Sequence, residues 1–312
     1  MDLTGPPRHP GRSLWDAMAD ADPADPGDAP VAFGGDLAPA TLVGAYRRGV
    51  FPWPLDDPAA VADTPGHRDQ AVAARRIPNL SRDGRGRADL VWWSPDPRGV
   101  LPVGRAHVSD SLFKRMRACD WTTTLDQEFA GVVHGCGQGT RRTWITPELA
   151  CAYHELYRLG WAHSVEVWKG DELIGGMFGV LIGAAFMAES MFHVRTDASK
   201  VALVDFDARF APAGGRLVDV QFVTTHARSM GAVEIPRECF LAALREARDA
   251  DVRLGCDRLP VTRLAELARQ ARQARHAQQA GQGQAPRHDR PGRSSGQEPA
   301  GPGRPDVGHD TS

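Results

Sequence analysis

The chain has 312 residues, 42% hydrophobic and 24% charged, enough for one large domain or two smaller ones around a sizeable core. A formal net charge of -2 gives no global basic signature, so any contact with nucleic acid rests on a local patch. No apolar run approaches a membrane span, and Met1 to Pro10 lack a signal peptide's apolar centre, so the protein is expected in the cytoplasm with no membrane partner. Cys119, Cys136, Cys151, Cys239 and Cys256 are scattered without a CxxC pair and read as reduced thiols rather than metal or redox ligands.

Residues 1–30 are rich in Pro, Asp and Ala and read as a loose lead-in. A short helix is predicted between Asp36 and Gly49, with Pro39 near its start and Gly49 at its stop. Val50-Phe51-Pro52-Trp53-Pro54 then projects Trp53 from a rigid turn. Residues 55–90 turn Arg, Asp, Gly and Ala rich and read as an inserted loop. The aromatic strand and proline-bounded turn from Val91 to Leu101 close a small amino-terminal domain, residues 31–101.

A second domain is expected over residues 102–265. Ser109 to Ala118 reads as an amphipathic helix with Lys114, Arg115 and Arg117 outward, and a second helix is predicted from Asp126 to Cys136. Gly137-Gln138-Gly139-Thr140 is a glycine turn without the context of a phosphate-binding loop. Thr146 as N-cap and Pro147 at the first helical position start a helix running to about Leu159. His163–Trp168, Glu172–Leu181 and Ala184–Phe192 then form an antiparallel meander, and a helix is predicted over Arg237–Arg248. Residues 266–312 read as a disordered tail. The fold class is α/β (α+β), with a mixed, largely antiparallel sheet.

The organising stretch is Ala184 to Gln221. Glu189 is a lone carboxylate inside an apolar strand, and Asp197 to Phe210 reads as a helix lying on the sheet. In Leu217–Phe222, Val218, Val220 and Phe222 share one face and Asp219 and Gln221 the other, placing a carboxylate and a carboxamide roughly 7 Å apart. Burying three such groups is costly unless each finds partners, at roughly 1 to 3 kcal/mol per unsatisfied group. The residues alone leave two readings open: a functional site, or a half-exposed sheet face with Glu189 paired to a neighbouring Arg.

Gly34-Gly35-Asp36-Leu37, Phe51-Pro52-Trp53, Trp92-Trp93-Ser94-Pro95-Asp96-Pro97-Arg98, Gly139 to Thr146, His163 to Gly179, Glu189-Ser190-Met191-Phe192, Ala198-Ser199-Lys200 and Asp219 to Gly231 together resemble the leucyl/phenylalanyl-tRNA-protein transferase family. The resemblance implies a small amino-terminal domain packed on a GNAT-like acyltransferase domain. It implies a reaction moving Leu or Phe, less readily Met, from aminoacyl-tRNA to the amino-terminal Arg or Lys of a protein, marking it for degradation. The implied partners are Leu-tRNA, Phe-tRNA and such acceptor proteins, and the implied form is a monomer. No cofactor or metal is required, because the aminoacyl ester is already activated.

The resemblance also implies roles. Asp219 and Gln221 hold and deprotonate the acceptor amine, with Glu189 binding polar groups nearby and Ala188 and Ser190 beside it contacting the substrate. Met177, Phe186, Leu203, Phe206 and Val218 surround the donor side chain, against the plain alternative that all five are core. Trp53 and Trp144 stack on the terminal adenine of the tRNA, Tyr46 and Tyr153 line the same cleft, and Lys114 and Arg117 meet the acceptor stem. Asp110, where a basic residue is expected, weakens that patch, and Ala188 stands where the family commonly has Gly. Two rivals remain: an acetyl-CoA-dependent N-acetyltransferase, which lacks its glycine-rich pyrophosphate loop here, and a non-catalytic binding module for aminoacyl-tRNA or degrons.

Overall fold

The computed structural model describes residues 6–17, 30–54, 79–80, 90–138 and 144–282. Gly139 and Thr140 of the expected glycine turn, most of the inserted loop, and residues 283–312 of the expected tail lie outside them. Contacts divide the chain into Met1–Gln270 and Ala271–Ser312.

Within the first unit, the chain order is β1 (Pro30–Phe33), α1 (Pro39–Tyr46), β2 (Phe51–Pro54), β3 (Leu90–Trp93), β4 (Arg98–Leu101), α2 (Asp110–Ala118), β5 (Thr122–Leu125), α3 (Phe129–Gly137) and α4 (Pro147–Arg158). There follow β6 (Ala162–Lys169), β7 (Glu172–Ile182), β8 (Ala185–His193), α5 (Ala198–Phe210), β9 (Leu217–Gln221), α6 (Thr225–Ser229), β10 (Val233–Ile235), α7 (Arg237–Ala247) and β11 (Leu259–Pro260). Helix α8 (Thr262–Gln282) comes last, over residues whose composition had pointed to a tail.

The local chemistry explains several boundaries. Thr146 Oγ1 accepts the Leu149 amide at 3.3 Å and Pro147 takes the first helical position, as the sequence predicts for α4. Ser109 and Thr224 cap α2 and α6 in the same way. Helix α3 starts at Phe129 rather than Asp126, because Asp126 takes a left-handed backbone with φ 58°.

Two sheets form among the described residues. The small one has the order β1-β3-β2, and the large one runs β10-β4-β9-β8-β7-β6-β5-β11. Strand β4, from the turn that was expected to close the small domain, is hydrogen-bonded inside the large sheet between β10 and β9. All neighbouring strands of the large sheet pair antiparallel except β8 and β9, which run parallel across the α5 connection. The sheet is therefore mixed and largely antiparallel.

Each face of the large sheet is covered. On one side Phe129, Val132, Leu149, Tyr153, Phe178, Met187, Phe240 and Leu244 join the buried cluster that also takes in Tyr46, Phe51 and Trp92. On the other, Leu112, Met116, Met177, Phe186, Leu203, Phe206, Phe210 and Val218 pack with Leu264. Order also begins earlier than the composition implied: Trp15, in a 3-10 turn at Leu14–Ala17, is buried and meets Trp92 edge-on at 5.4 Å. All five cysteines are free thiols, and among the described residues no helix is long and apolar enough to cross a membrane.

Candidate active site

Asp219 is fully buried on β9, with Arg98 gripping it in a two-pronged ion pair: Nε donates to Oδ1 at 2.8 Å and Nη2 to Oδ2 at 2.5 Å. Arg98 is itself 1% exposed, donates through Nη1 to the Gly49 carbonyl at 3.0 Å, and lies over Phe240 and Phe51 at 4.3 and 5.1 Å. Gly49 accepts this crowding because a Cβ there would come within 2.6 Å of Leu241 and 2.8 Å of Phe240. A buried carboxylate demands a buried cation, and β4 and β9, hydrogen-bonded neighbours, supply both.

Gln221 departs from simple alternation. It has φ 56°, where residues other than Gly, Asn and Asp are strained, and its amide N–H donates to Asp219 Oδ1 at 2.9 Å. The expected pair of side chains projecting together along an extended strand is thus corrected: β9 ends at Gln221, and the backbone curls onto Asp219. The carboxamide Nε2 is buried without a hydrogen-bond partner among the described residues.

Glu189 reaches the same side of the sheet. Tyr153 donates to its Oε2 at 3.0 Å, and the Tyr46 and Tyr153 hydroxyls meet at 2.9 Å. Its Oε1 is shut from solvent with no partner among the described residues, although the residue as a whole is partly exposed. Burial pushes the Glu189 carboxyl up to about 8; the tyrosine hydroxyls pull it back and the Asp219 charge adds to the rise. Burial also raises both tyrosines well above their ordinary range. Tyr46 and Tyr153 are 1% and 0% exposed, so they act from below the surface rather than lining an open cleft.

Above Tyr153 the aromatic groups stack. Trp53 and Trp144 lie nearly parallel at 5.6 Å, Trp144 meets Tyr153 edge-on at 6.3 Å, and Phe222 closes on Trp53 at 6.0 Å. Both tryptophans keep partial exposure. The tryptophans expected to receive a base therefore stack on one another here.

Met177, Phe186, Leu203, Phe206 and Val218 lie elsewhere. They are 0% to 2% exposed and belong to the cluster under α5, on the sheet face opposite Asp219 and Glu189, with Phe186 and Phe206 ring centres 4.0 Å apart. One apolar wall shared directly with Asp219 is thus not the arrangement. Alternation already separates them, since Val218 and Asp219 are neighbours in one strand. Ala188 and Ser190 flank Glu189 in β8 and are partly exposed. Lys114 and Arg117 are exposed on α2, and Arg115 pairs at 3.9 Å with Asp197. The sequence reading left Arg98 without a role. Its signal was the unpaired Asp219 together with an arginine placed just before the apolar Val100-Leu101.

Two family models match the chain: leucyl/phenylalanyl-tRNA protein transferase over residues 100–245, and the N-terminal domain of the same family over 35–59. A leucyl/phenylalanyl-tRNA-protein transferase of Proteus mirabilis is 42% identical over 214 residues, 69% of this chain and 80% of that protein. One of Nitratidesulfovibrio vulgaris is 41% identical over 239 residues, 75% of this chain and 88% of that protein. Another, of Shewanella baltica, is 39% identical over 226 residues, covering 71% and 82%. A buried acid and amide beside partly exposed tryptophans, with these relatives, define an enzyme of the aminoacyltransferase class. The chain belongs to the leucyl/phenylalanyl-tRNA-protein transferase family.

Proposed function

We propose that the protein transfers Leu or Phe, and less readily Met, from aminoacyl-tRNA to the amino-terminal Arg or Lys of acceptor proteins, which are thereby marked for degradation. On this reading it acts as a monomer in the cytoplasm, with a small amino-terminal domain around β1–β3 beside a GNAT-like acyltransferase domain that takes in β4. The observation that carries the reading is the spare valence of Glu189 Oε1 and Gln221 Nε2, both buried, beside the Trp53–Trp144 stack.

The reaction is aminolysis of an ester. The nitrogen lone pair of the acceptor forms the C–N bond at the ester carbonyl carbon, the bond to the ribose oxygen breaks, and a proton passes from the nitrogen to that oxygen. An α-amino group has a pKa of about 7.7 to 8.0. Burial raises the Glu189 carboxyl to about 8, toward that range, which suits it to accept the amine's proton. Glu189 takes the amine's proton as the C–N bond forms and returns it toward the ribose oxygen.

Asp219 has both oxygens committed to Arg98, so its part is to fix the end of β9 and hold Gln221 in its strained conformation. Gln221 Nε2 then donates to an oxygen of the substrate. Trp53 and Trp144 open around the terminal adenine, with Lys114 and Arg117 steering the acceptor stem. Met177, Phe186, Leu203, Phe206 and Val218 receive the donor side chain through the gap where β8 and β9 part, a gap that also supports the GNAT-like reading.

Incubation with leucyl-tRNA and a peptide beginning with Arg tests the proposal. Mass measurement is expected to show one added leucyl residue; an unchanged peptide with both leucyl- and phenylalanyl-tRNA would contradict it.

A further inference from the structure

We propose that the open side of β8, from Ala188 onward, holds the acceptor polypeptide as an extended added strand, recognising its leading residues through their backbone. The inference rests on the aminoacyl-transfer reading above and names how the second substrate is held.

Strands β8 and β9 pair in parallel at Ala185↔Leu217, Phe186↔Val218 and Met187↔Asp219, and there the ladder stops. Strand β8 continues to His193, bonded to β7 alone; among the described residues no second strand covers that side of Ala188–His193. Exposure follows the same break. Ala185, Phe186 and Met187 are buried, whereas Ala188 to Phe192 are partly exposed.

Two features hold the gap open. The left-handed Gln221 turns the chain off β9, and the Phe222 amide closes back on the Val220 carbonyl at 2.6 Å. Opposite it, β8 carries a bulge: Gly179 pairs with Ala188 and Phe178 with Ser190, which leaves Glu189 as the extra residue. Bulges bend a strand and re-aim one side chain, and here the re-aimed side chain is the one with a bare carboxyl oxygen.

An unpaired strand edge is a template for an extended peptide, which supplies alternating N–H and C=O groups. The donor brings a single aminoacyl ester and cannot form a ladder. An acceptor chain can, and its end groups suit the mouth of the gap: the terminal amine meets Glu189 Oε1, and the first carbonyl meets Gln221 Nε2. The open run from Ala188 to His193 spans roughly 17 Å, about five extended residues. Acceptors therefore need an unfolded leading segment of that length, whatever the side chains after the first.

The test uses a six-residue peptide beginning with Arg and versions of it methylated at one backbone nitrogen at a time, with leucyl-tRNA as donor. In a strand only alternate amides face the partner. Methylation is expected to raise the peptide KM about tenfold at alternate residues, the loss of one buried hydrogen bond, with little change between them. The KM for leucyl-tRNA should not move. Equal KM values across the series, or a loss without alternation, overturn the inference while leaving the transfer reading intact. If the unmodified peptide gives no product, both fall.

Discussion

Carboxylates are buried both on helix α5 and beneath Trp144, yet the two groups are treated differently. On α5, Asp205 takes hydrogen bonds from Thr123 at 2.7 Å, Arg263 at 2.5 Å and Arg209 at 2.8 Å, and Asp207 takes the Gly104 and Ala106 amides at 2.7 and 3.0 Å. All four oxygens are engaged. Across the sheet, Glu189 keeps one oxygen without a partner among the described residues, and so does the carboxamide nitrogen of the strained Gln221. Structural burial exhausts the valence of a charged group, because each unmet bond costs free energy. Among these carboxylates, the one oxygen left unspent lies on the face assigned above to the substrate. Asp219 falls between the two: it sits on the substrate side but is saturated by Arg98, as a support is.

That contrast can be broken at several points. The largest effect is expected for Asp219→Ala, which strands a buried guanidinium and should cost about 3 to 5 kcal/mol in urea denaturation. Replacing Arg98 by Met and Asp219 by Leu together should recover most of this loss; no recovery would show that the pair is more than a support. On the far side, Leu203→Ala should cost about 2 to 5 kcal/mol by opening a cavity under α5, without changing the pH dependence of turnover. Any shift in that dependence would tie the far face to proton transfer. Trp53→Ala should weaken binding of the donor by about 1 to 3 kcal/mol, read as a raised KM for leucyl-tRNA with the peptide KM unchanged.

A subtler consequence concerns pH and stability. The folded carboxyl of Glu189 titrates at about 8, against an ordinary value of 4.5, so the folded state holds the proton longer than the unfolded chain. Stability therefore falls as pH rises from about 4.5 to about 8. Glu166, pushed up to about 7 by burial against the pull of Ser164 and Thr124, adds a second decline of the same sign. Glu189→Gln should flatten the curve between about 7 and 8 and roughly halve its slope between about 4.5 and 7, where Glu166 still titrates. A thermal-melting series across that range checks it; an unaltered slope would mean that Glu189 titrates at its ordinary value.

Much of this was legible from local signals. Thr146-Pro147 marked a helix start that the structure keeps, and the runs from His163 to Phe192 gave a meander that the register reproduces. The lone Glu189 in an apolar strand flagged a group needing partners. What escaped depended on contacts far apart in sequence. Arg98 and Asp219 are separated by 121 positions, and no periodicity links them. Trp15 lies in a stretch without helical or strand pattern and is ordered by packing on Trp92. Gln221 escaped for another reason: alternation assumes an extended backbone, and a glutamine gives no hint of φ 56°. That conformation is held by Asp219 from the folded side.

The most direct test of the central claim is the single-turnover rate of peptide-bond formation at saturating leucyl-tRNA and Arg-peptide near pH 8, for the native chain and for Glu189→Gln. The variant keeps the shape of the side chain and removes its capacity to exchange a proton. The account predicts a rate about a hundredfold lower or worse, with the KM for leucyl-tRNA little changed. An undiminished rate would contradict it.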